Sequence, residues 1–508
     1  MHRSITFLLL IISIKTFSQS LETLKVRDFR NKNEQSIINE FVSFLSIPNV
    51  ASDTSNIKKN AAFIMDMMRK RGISNVQLLP AITKDAPPAV YGEVIVPGAK
   101  NTLIFYAHYD GQPVNAAQWA KGLNPFVPQL YSGDLNSGKP ISFPSSGNYD
   151  PQWRIYSRAA SDDKAGVAVI LNGYGAIIKS GLQLNSNIKF FFEGEEEAGS
   201  PHLGEILQSH ASLLQSDLWI MCDGPVHQSG KKLIAFGVRG DTHLDLTVYA
   251  SRRPLHSGHY GNWAPNAAMM LVKLLASMKD ENGRVTIKGF YDDVQPLNAE
   301  EIKALKQVPS VDEQMKNELG IITTEMKNKT LVESINLPSL NINGIQSANV
   351  GKLANNIIPS TATAVLDLRL VLGNDWQRQQ QKVISHIRML GYTIIDHDPT
   401  DEERKKYFKL IKVITGNDSY NAQRTSMTLS VTKKVIDAVK STTNEQVVLM
   451  PTLGGSLPLF VFEKYLNAKT ITIPVANHDN NQHAENENIR LMNLWNGIET
   501  MAALMMMK

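Results

Sequence analysis

Apolar residues recur at helical spacing over 33–45 and 56–71, and short apolar stretches at 75–79 and 89–96 read as strands. The run Asn101-Thr-Leu-Ile-Phe-Tyr-Ala107 has the length and composition of a strand buried on both faces, and it ends in the polar His108-Tyr-Asp-Gly-Gln-Pro113. A stretch rich in Gly, Ser, Asn and Pro, 123–150, predicts a long irregular loop. Next, Arg158-Ala-Ala-Ser-Asp-Asp-Lys-Ala-Gly166 opens an apolar helix over 167–178. Another strand lies within Asn187-Ile-Lys-Phe-Phe-Phe-Glu-Gly-Glu-Glu-Glu-Ala-Gly-Ser200 and runs straight into four glutamates. A helix over 203–214 and a strand over 218–221 follow, the latter ending in Cys222-Asp-Gly224. Strands that alternate with helices and carry polar residues at their ends describe an α/β fold. Its sheet is open and mostly parallel, with helices on both faces and the site at the carboxyl edge.

From about position 240 the pattern changes. A half-exposed alternating strand (242–250), a helix (264–278), two strands (339–345, 362–371) and a helix (376–390) suit a small α+β sandwich open on one side. The polar segment 287–332 interrupts it as a lobe or long loop. After 405 the α/β pattern resumes, with a helix (427–439), strands (446–450, 470–474) and a closing helix from 489. The expected division is a catalytic domain in two parts, 21–239 and 405–508, with 240–404 inserted between them.

The first twenty residues stand apart. His2 and Arg3 precede an apolar run over 5–14, and small residues near 16–18 suit cleavage, so 1–20 is expected to be a secretory signal peptide, with Lys15 an untidy departure. The run is too short for a membrane span, which takes about 20 residues. Losing Arg3 and Lys15 takes the formal charge from +4 to +2, too little to draw nucleic acid or an anionic membrane. A single cysteine, Cys222, leaves no internal disulfide. A periplasmic or secreted protein is expected.

Like charges as close as Glu193, Glu195, Glu196 and Glu197 cannot all stay ionised cheaply without a cation, although an isolated acidic run also reads as a solvated turn. Other chemistry-bearing residues sit just past apolar strands: His108, Asp110, Asp162, Asp223 and, near the end, His483 in Gln482-His-Ala-Glu-Asn-Glu487. Two histidines with several carboxylates are the donor set of a two-zinc hydrolytic site.

As a set these residues resemble the co-catalytic zinc peptidase and deacylase family that includes carnosine dipeptidases, aminoacylases, acetylornithine deacetylase, succinyl-diaminopimelate desuccinylase and carboxypeptidase G. HYDGQP, RAASDDKAG and FEGEEEAGS look like its three metal-site segments, and the chain is most similar to the carnosine dipeptidase branch. The resemblance implies two divalent metal ions per chain, zinc first, with manganese or cobalt as alternatives. It places one on His108, Asp162 and Asp223 and the other on Asp162, Glu197 and His483. It implies a cis peptide at Asp162-Asp163. Glu196 becomes the general base, Asp110 the partner that orients the His108 ring, and Glu195 a non-ligand. The His256-Ser-Gly258 motif on the inserted domain implies an oxyanion donor, commonly supplied from the partner subunit of a homodimer, which makes the insert a lid and dimerisation domain. Asn356, Arg369 and the Gly454-Gly455-Ser456 turn resemble the family's substrate-binding features, and Arg424 is a further candidate for anion binding.

The function implied is a metallohydrolase cleaving a peptide or amide bond beside a free carboxylate, most simply a dipeptidase. An N-acyl amino acid deacylase shares the same chemistry, and a catalytically silent binding protein on the same fold is the alternative of another class.

Overall fold

The computed structural model describes residues 19–416, 419–455 and 459–508. Most of the expected signal peptide, 1–18, lies outside the described residues. The larger sheet has eight strands. They run in the order Ser74–Leu79, Ala89–Val94, Asn187–Glu193, Thr102–His108, Leu218–Met221, Thr470–Thr472, Leu233–Ala235 and Val448–Met450. Four of its seven neighbour pairings are parallel and three antiparallel, the antiparallel ones lying toward the edges. The fold is the expected α/β type, on a sheet that is more mixed than the apolar runs implied.

The central strands are apolar throughout because both of their faces are covered. Leu103, Phe105, Phe190, Phe192, Leu218 and Ile220 pack against the helices Leu21–Leu45, Thr54–Lys70, Lys164–Lys179 and Leu491–Met505. The alternate residues Ile104, Tyr106, Phe191, Trp219 and Met221 meet Leu203–Ser209 and Leu459–Leu466 on the other side. Each fully buried phenylalanine here contributes about 1.5–3 kcal/mol, so Phe190 to Phe192 pin the middle of the sheet from both faces.

A second sheet orders Ser339–Gln346, Thr361–Leu370, Gly240–Tyr249, Leu410–Thr415 and Thr393–Ile395. Ala267–Ala276 and Trp376–Met389 cover one face, with Leu271, Leu274, Val383 and Ile387 against Leu244, Leu246, Leu366 and Leu368. Leu410–Thr415 pairs with Leu244 to Tyr249, so the inserted unit runs past position 404, where the sequence reading ended it. Two short strands, Gln129–Tyr131 and Pro140–Ile141, stand inside the stretch read as irregular loop. They join Arg154–Tyr156 and Asn488–Arg490 in a four-stranded sheet, and strands of two or three residues leave no periodicity to read. The polar segment 287–332 folds into the helices Ala299–Gln307 and Asp312–Leu319. Val308, Val332 and Ile335 seat it on Leu233, Val448 and Met450 of the larger sheet.

Candidate metal centre

Thr102–His108 lies parallel to both of its neighbours, with His108 level with Glu193 and Tyr106 level with Met221. Parallel strands finish at the same edge, so His108, the glutamates after Glu193 and Asp223 after Met221 meet there. Asp163 caps the next helix, its Oδ1 accepting from Gly166 N at 3.0 Å, and the Asp162-Asp163 peptide is cis, as expected. Gly166 is required for this approach: a Cβ there would fall 2.3 Å from Asp163 Oδ1 and 2.5 Å from the Cys222 carbonyl oxygen.

Two groups of ligand atoms form, each lying within 4.8 Å of one another: His108, Asp162 and Asp223, and Asp162, Glu197 and His483. Asp162 divides its oxygens between them. Oδ1 lies 3.0 Å from His108 Nε2, and Oδ2 lies 3.2 Å from His483 Nε2, which is 3.3 Å from Glu197 Oε2. Asp223 Oδ2 and Glu196 Oε2 each stand 3.9 Å from His108 Nε2.

Asp110, fully buried behind His108, does more than the sequence indicated. Its Oδ1 lies 3.4 Å from His108 Nδ1 and accepts from Glu196 N at 3.0 Å, while Oδ2 accepts from Glu197 N at 3.0 Å. One carboxylate thus turns the end of the glutamate strand so that two consecutive side chains can serve one site. Gln112 Nε2 donates to Glu197 Oε2 at 2.8 Å. Glu195 points elsewhere, its carboxylate 3.0 Å from His202 Nδ1.

Burial pushes Glu196 well above the usual carboxylate range, and burial reinforced by Asp162 lifts Glu197 to about 7 and Asp223 to about 6. Burial would raise Asp162 too, but hydrogen bonds from His108 and His483 outweigh it and hold it low. The bond to Asp162 lifts His483 to about 9. Among the described residues no lysine or arginine pairs with these four carboxylates; their cationic neighbours are the two histidines. Nitrogen and oxygen donors in two shared groups, with negative charge left over, fit a pair of divalent cations.

A pH dependence follows for the metal-free protein. Glu197 and Asp223, raised from 4.5 and 3.8, stabilise the fold while protonated, and that contribution disappears as pH rises through about 6 to 7. His483, raised from 6.5, stabilises while charged and its contribution is lost through about 9. Asp162, held low, contributes above 3.8 and loses that only in acid. Chelated protein is therefore expected to lose thermal stability between about pH 5 and pH 9, while added divalent metal widens the Tm gap over the same interval. A metal-free Tm that climbs through that window would contradict this account.

A cavity of about 1150 Å³ opens onto the centre, with Asp162, Glu196, Asp223, Gly454, Gly455 and His483 in its wall. Much of the opposite wall comes from the inserted segment: Leu297, Ile302, Leu305, Val308, Val332 and Ile335. Sequence polarity concealed this role, because the apolar residues that line the cavity are few and scattered among polar ones. Ser456 lies outside the described residues.

His256, Asn356 and Arg369 are not in this wall. His256 is exposed beside Ile357 on the smaller body, its ring 4.6 Å from that of His259, and Asn356 is exposed next to it. Arg369 is engaged within its own sheet, Nε 3.2 Å from Asp367 Oδ1 and Nη1 3.7 Å from Asp241 Oδ2. Asp241, His243 and Asp367 form a third group of possible ligands, where Arg369 already supplies positive charge. Arg424 is not free for an anion: its Nε sits 3.1 Å from Glu301 Oε1 in a nearly buried pair that fastens the inserted segment to the larger body.

Residues 104–507 match the family model described as Peptidase family M20/M25/M40. The Cys-Gly metallodipeptidase DUG1 of Candida albicans is 27% identical over 516 aligned positions, covering 96% of this chain and 98% of its own. The Beta-Ala-His dipeptidase of Homo sapiens is 26% identical, covering 81% of this chain and 75% of its own. Among solved structures, the M20 family metallo-carboxypeptidase Sso-CP2 from Sulfolobus solfataricus has a TM-score of 0.72 at 25% identity, over 93% of this chain and 98% of that one. Human carnosine dipeptidase 1 has a TM-score of 0.70 at 21% identity, over 96% of this chain and 99% of that one.

Proposed function

The chain belongs to Peptidase family M20/M25/M40, and from that membership we propose that it is a dipeptidase hydrolysing the amide bond beside a free carboxylate. The observation that carries this reading is the placement of Asp162, one oxygen toward His108 and the other toward His483, with Glu196 Oε2 3.9 Å from His108 Nε2. His108, Asp162 and Asp223 would hold one divalent ion and Asp162, Glu197 and His483 the other. Bound there, the ions would supply a water of lowered pKa and charge stabilisation at the scissile carbonyl. Zinc is the proposed occupant, since mixed imidazole and carboxylate donors suit it, with manganese or cobalt as substitutes.

The protein's own groups do the rest. Glu196 takes the proton of the attacking water and returns it to the leaving nitrogen, and Asp110 keeps His108 and the glutamate backbone in place. Gly454 and Gly455 leave backbone exposed in the cavity wall, suiting them to the substrate's carboxylate. His256 is exposed and lies outside the cavity wall, which supports a homodimer in which it completes the partner's site, checked by the mass in sedimentation. Export with 1–20 removed rests on the leader pattern alone and is checked by the N-terminal mass of the mature protein. Among the described residues no helix is long and apolar enough to cross a membrane.

The apolar wall around Leu297, Leu305, Val308 and Val332 favours substrates with large apolar side chains. Burying a leucine or phenylalanine side chain instead of leaving it exposed is worth about 1.5–3 kcal/mol, so kcat/KM should exceed that for the glycine counterpart by about 10- to 100-fold. Kinetics on matched dipeptides, with acetylated and succinylated amino acids alongside, tests both points. A preference for glycyl substrates would sink the side-chain reading, and turnover of acylated amino acids alone would replace the dipeptidase with the deacylase. The catalytically silent reading would need fewer than two ions per chain and no turnover on added metal.

A further inference from the structure

Glu487 is fully buried, and donors converge on both oxygens of its carboxylate. Oε1 accepts from Ser161 N at 2.9 Å, Ser161 Oγ at 2.8 Å and Asp162 N at 2.9 Å, and Oε2 accepts from Ala159 N at 2.9 Å and Arg158 Nη1 at 2.8 Å. Its own carbonyl oxygen accepts from Ser157 N at 3.1 Å. Five donors from one turn, Arg158 to Asp162, thus converge on the two oxygens of a single side chain.

The surrounding topology explains why these donors gather there. Arg154–Tyr156 and Asn488–Arg490 pair antiparallel, with Asn488 opposite Tyr156. The chain leaving the first strand turns through Ala159, at φ 59°, to reach Asp162, and the chain entering the second comes from His483, at φ 61°. Both metal-facing residues therefore stand on irregular turns that neither sheet holds. Glu487 is the point where the two turns are tied.

We propose that Glu487 is a positioning residue for the metal pair, holding the Ser161–Asp162 backbone so that each Asp162 oxygen faces its own ion and fixing the His483 turn to the same support. The inference rests on the two-ion reading above but concerns a residue that touches neither ion nor substrate. Asp162 serves both groups, so a slackened Asp162 weakens both ions together. In Glu487→Gln the amide oxygen can still serve Ser161 and Asp162, but its NH2 then opposes Ala159 N and Arg158, and the knot loosens without a change of size.

Zinc and manganese affinities of chelated full-length protein, measured by competition with a chromophoric chelator, give the test, with Tm taken metal-free and metal-loaded. Glu487→Gln is expected to bind both ions about 10- to 100-fold more weakly and to show a narrower Tm gap, with kcat recovering at excess metal. Ser161→Ala, which removes one of the five donors, should weaken both ions by about threefold and serves as the deciding variant if Glu487→Gln does not fold. Wild-type affinity for both ions with equal Tm losses in the two states would make Glu487 merely structural and overturn the proposal, as would weakening confined to one ion. Wild-type protein that binds fewer than two ions would overturn this inference and the two-ion reading together, whereas an unaltered variant beside a two-ion wild type would overturn this inference alone.

Discussion

Glu196→Gln is expected to keep both metals and lose about 10²- to 10⁴-fold in kcat, the usual worth of a positioned general base. Glutamine matches glutamate in shape, and the backbone of residue 196 is held by Asp110, so the neighbouring Glu197, a proposed ligand, has no reason to move. What disappears is an acceptor for the proton of the attacking water and the donor that returns it to the leaving nitrogen. Metal content by mass spectrometry and kcat on one apolar dipeptide read the two effects separately. Activity within about tenfold of wild type would remove Glu196 from the role. Glu195 would not inherit it, because its carboxylate is committed to His202.

Asp162→Ala should have the larger structural consequence: both ions lost, and turnover with them. The carboxylate stands in both ligand groups and provides one oxygen to each, so no other residue can replace it by a change of rotamer. His483→Ala and Asp223→Ala each remove a donor from one group only, and each should leave one ion bound with the other weakened. Stoichiometry after dialysis against dilute metal distinguishes the cases. An Asp162→Ala protein retaining two ions would mean that the two groups are not joined through this residue.

Much of the site was readable because its residues follow buried strands. His108, Glu196, Glu197 and Asp223 end apolar runs of strand length, and parallel neighbours bring such ends to one edge whatever the intervening loops do. Other members left no comparable mark. Glu487 stood in plain view in the His483 segment, but its partners, Arg158 to Asp162, lie on another loop, and only the pairing of Arg154–Tyr156 with Asn488–Arg490 brings them together. The segment 287–332 reads as polar because its helices expose most of their residues, and the few apolar ones that line the cavity are too sparse to show a period. Arg424 reads as available for an anion, but Glu301, more than a hundred positions away, occupies its guanidinium.

By itself, the sequence determined the two-sided burial of the central strands, the change of pattern near 240 and the residue types of a dinuclear centre, since local periodicity and motif text carry that information. The tertiary structure decided the rest: that Asp162 splits its oxygens between His108 and His483, that Glu195 turns to His202 while Glu196 faces the cavity, and that the inserted segment walls the site. Those facts depend on strand order and on how separate segments meet, Asp162 with His483 being the longest reach among them. The free energy of such contacts belongs to the assembled surfaces, and no window of the chain contains it.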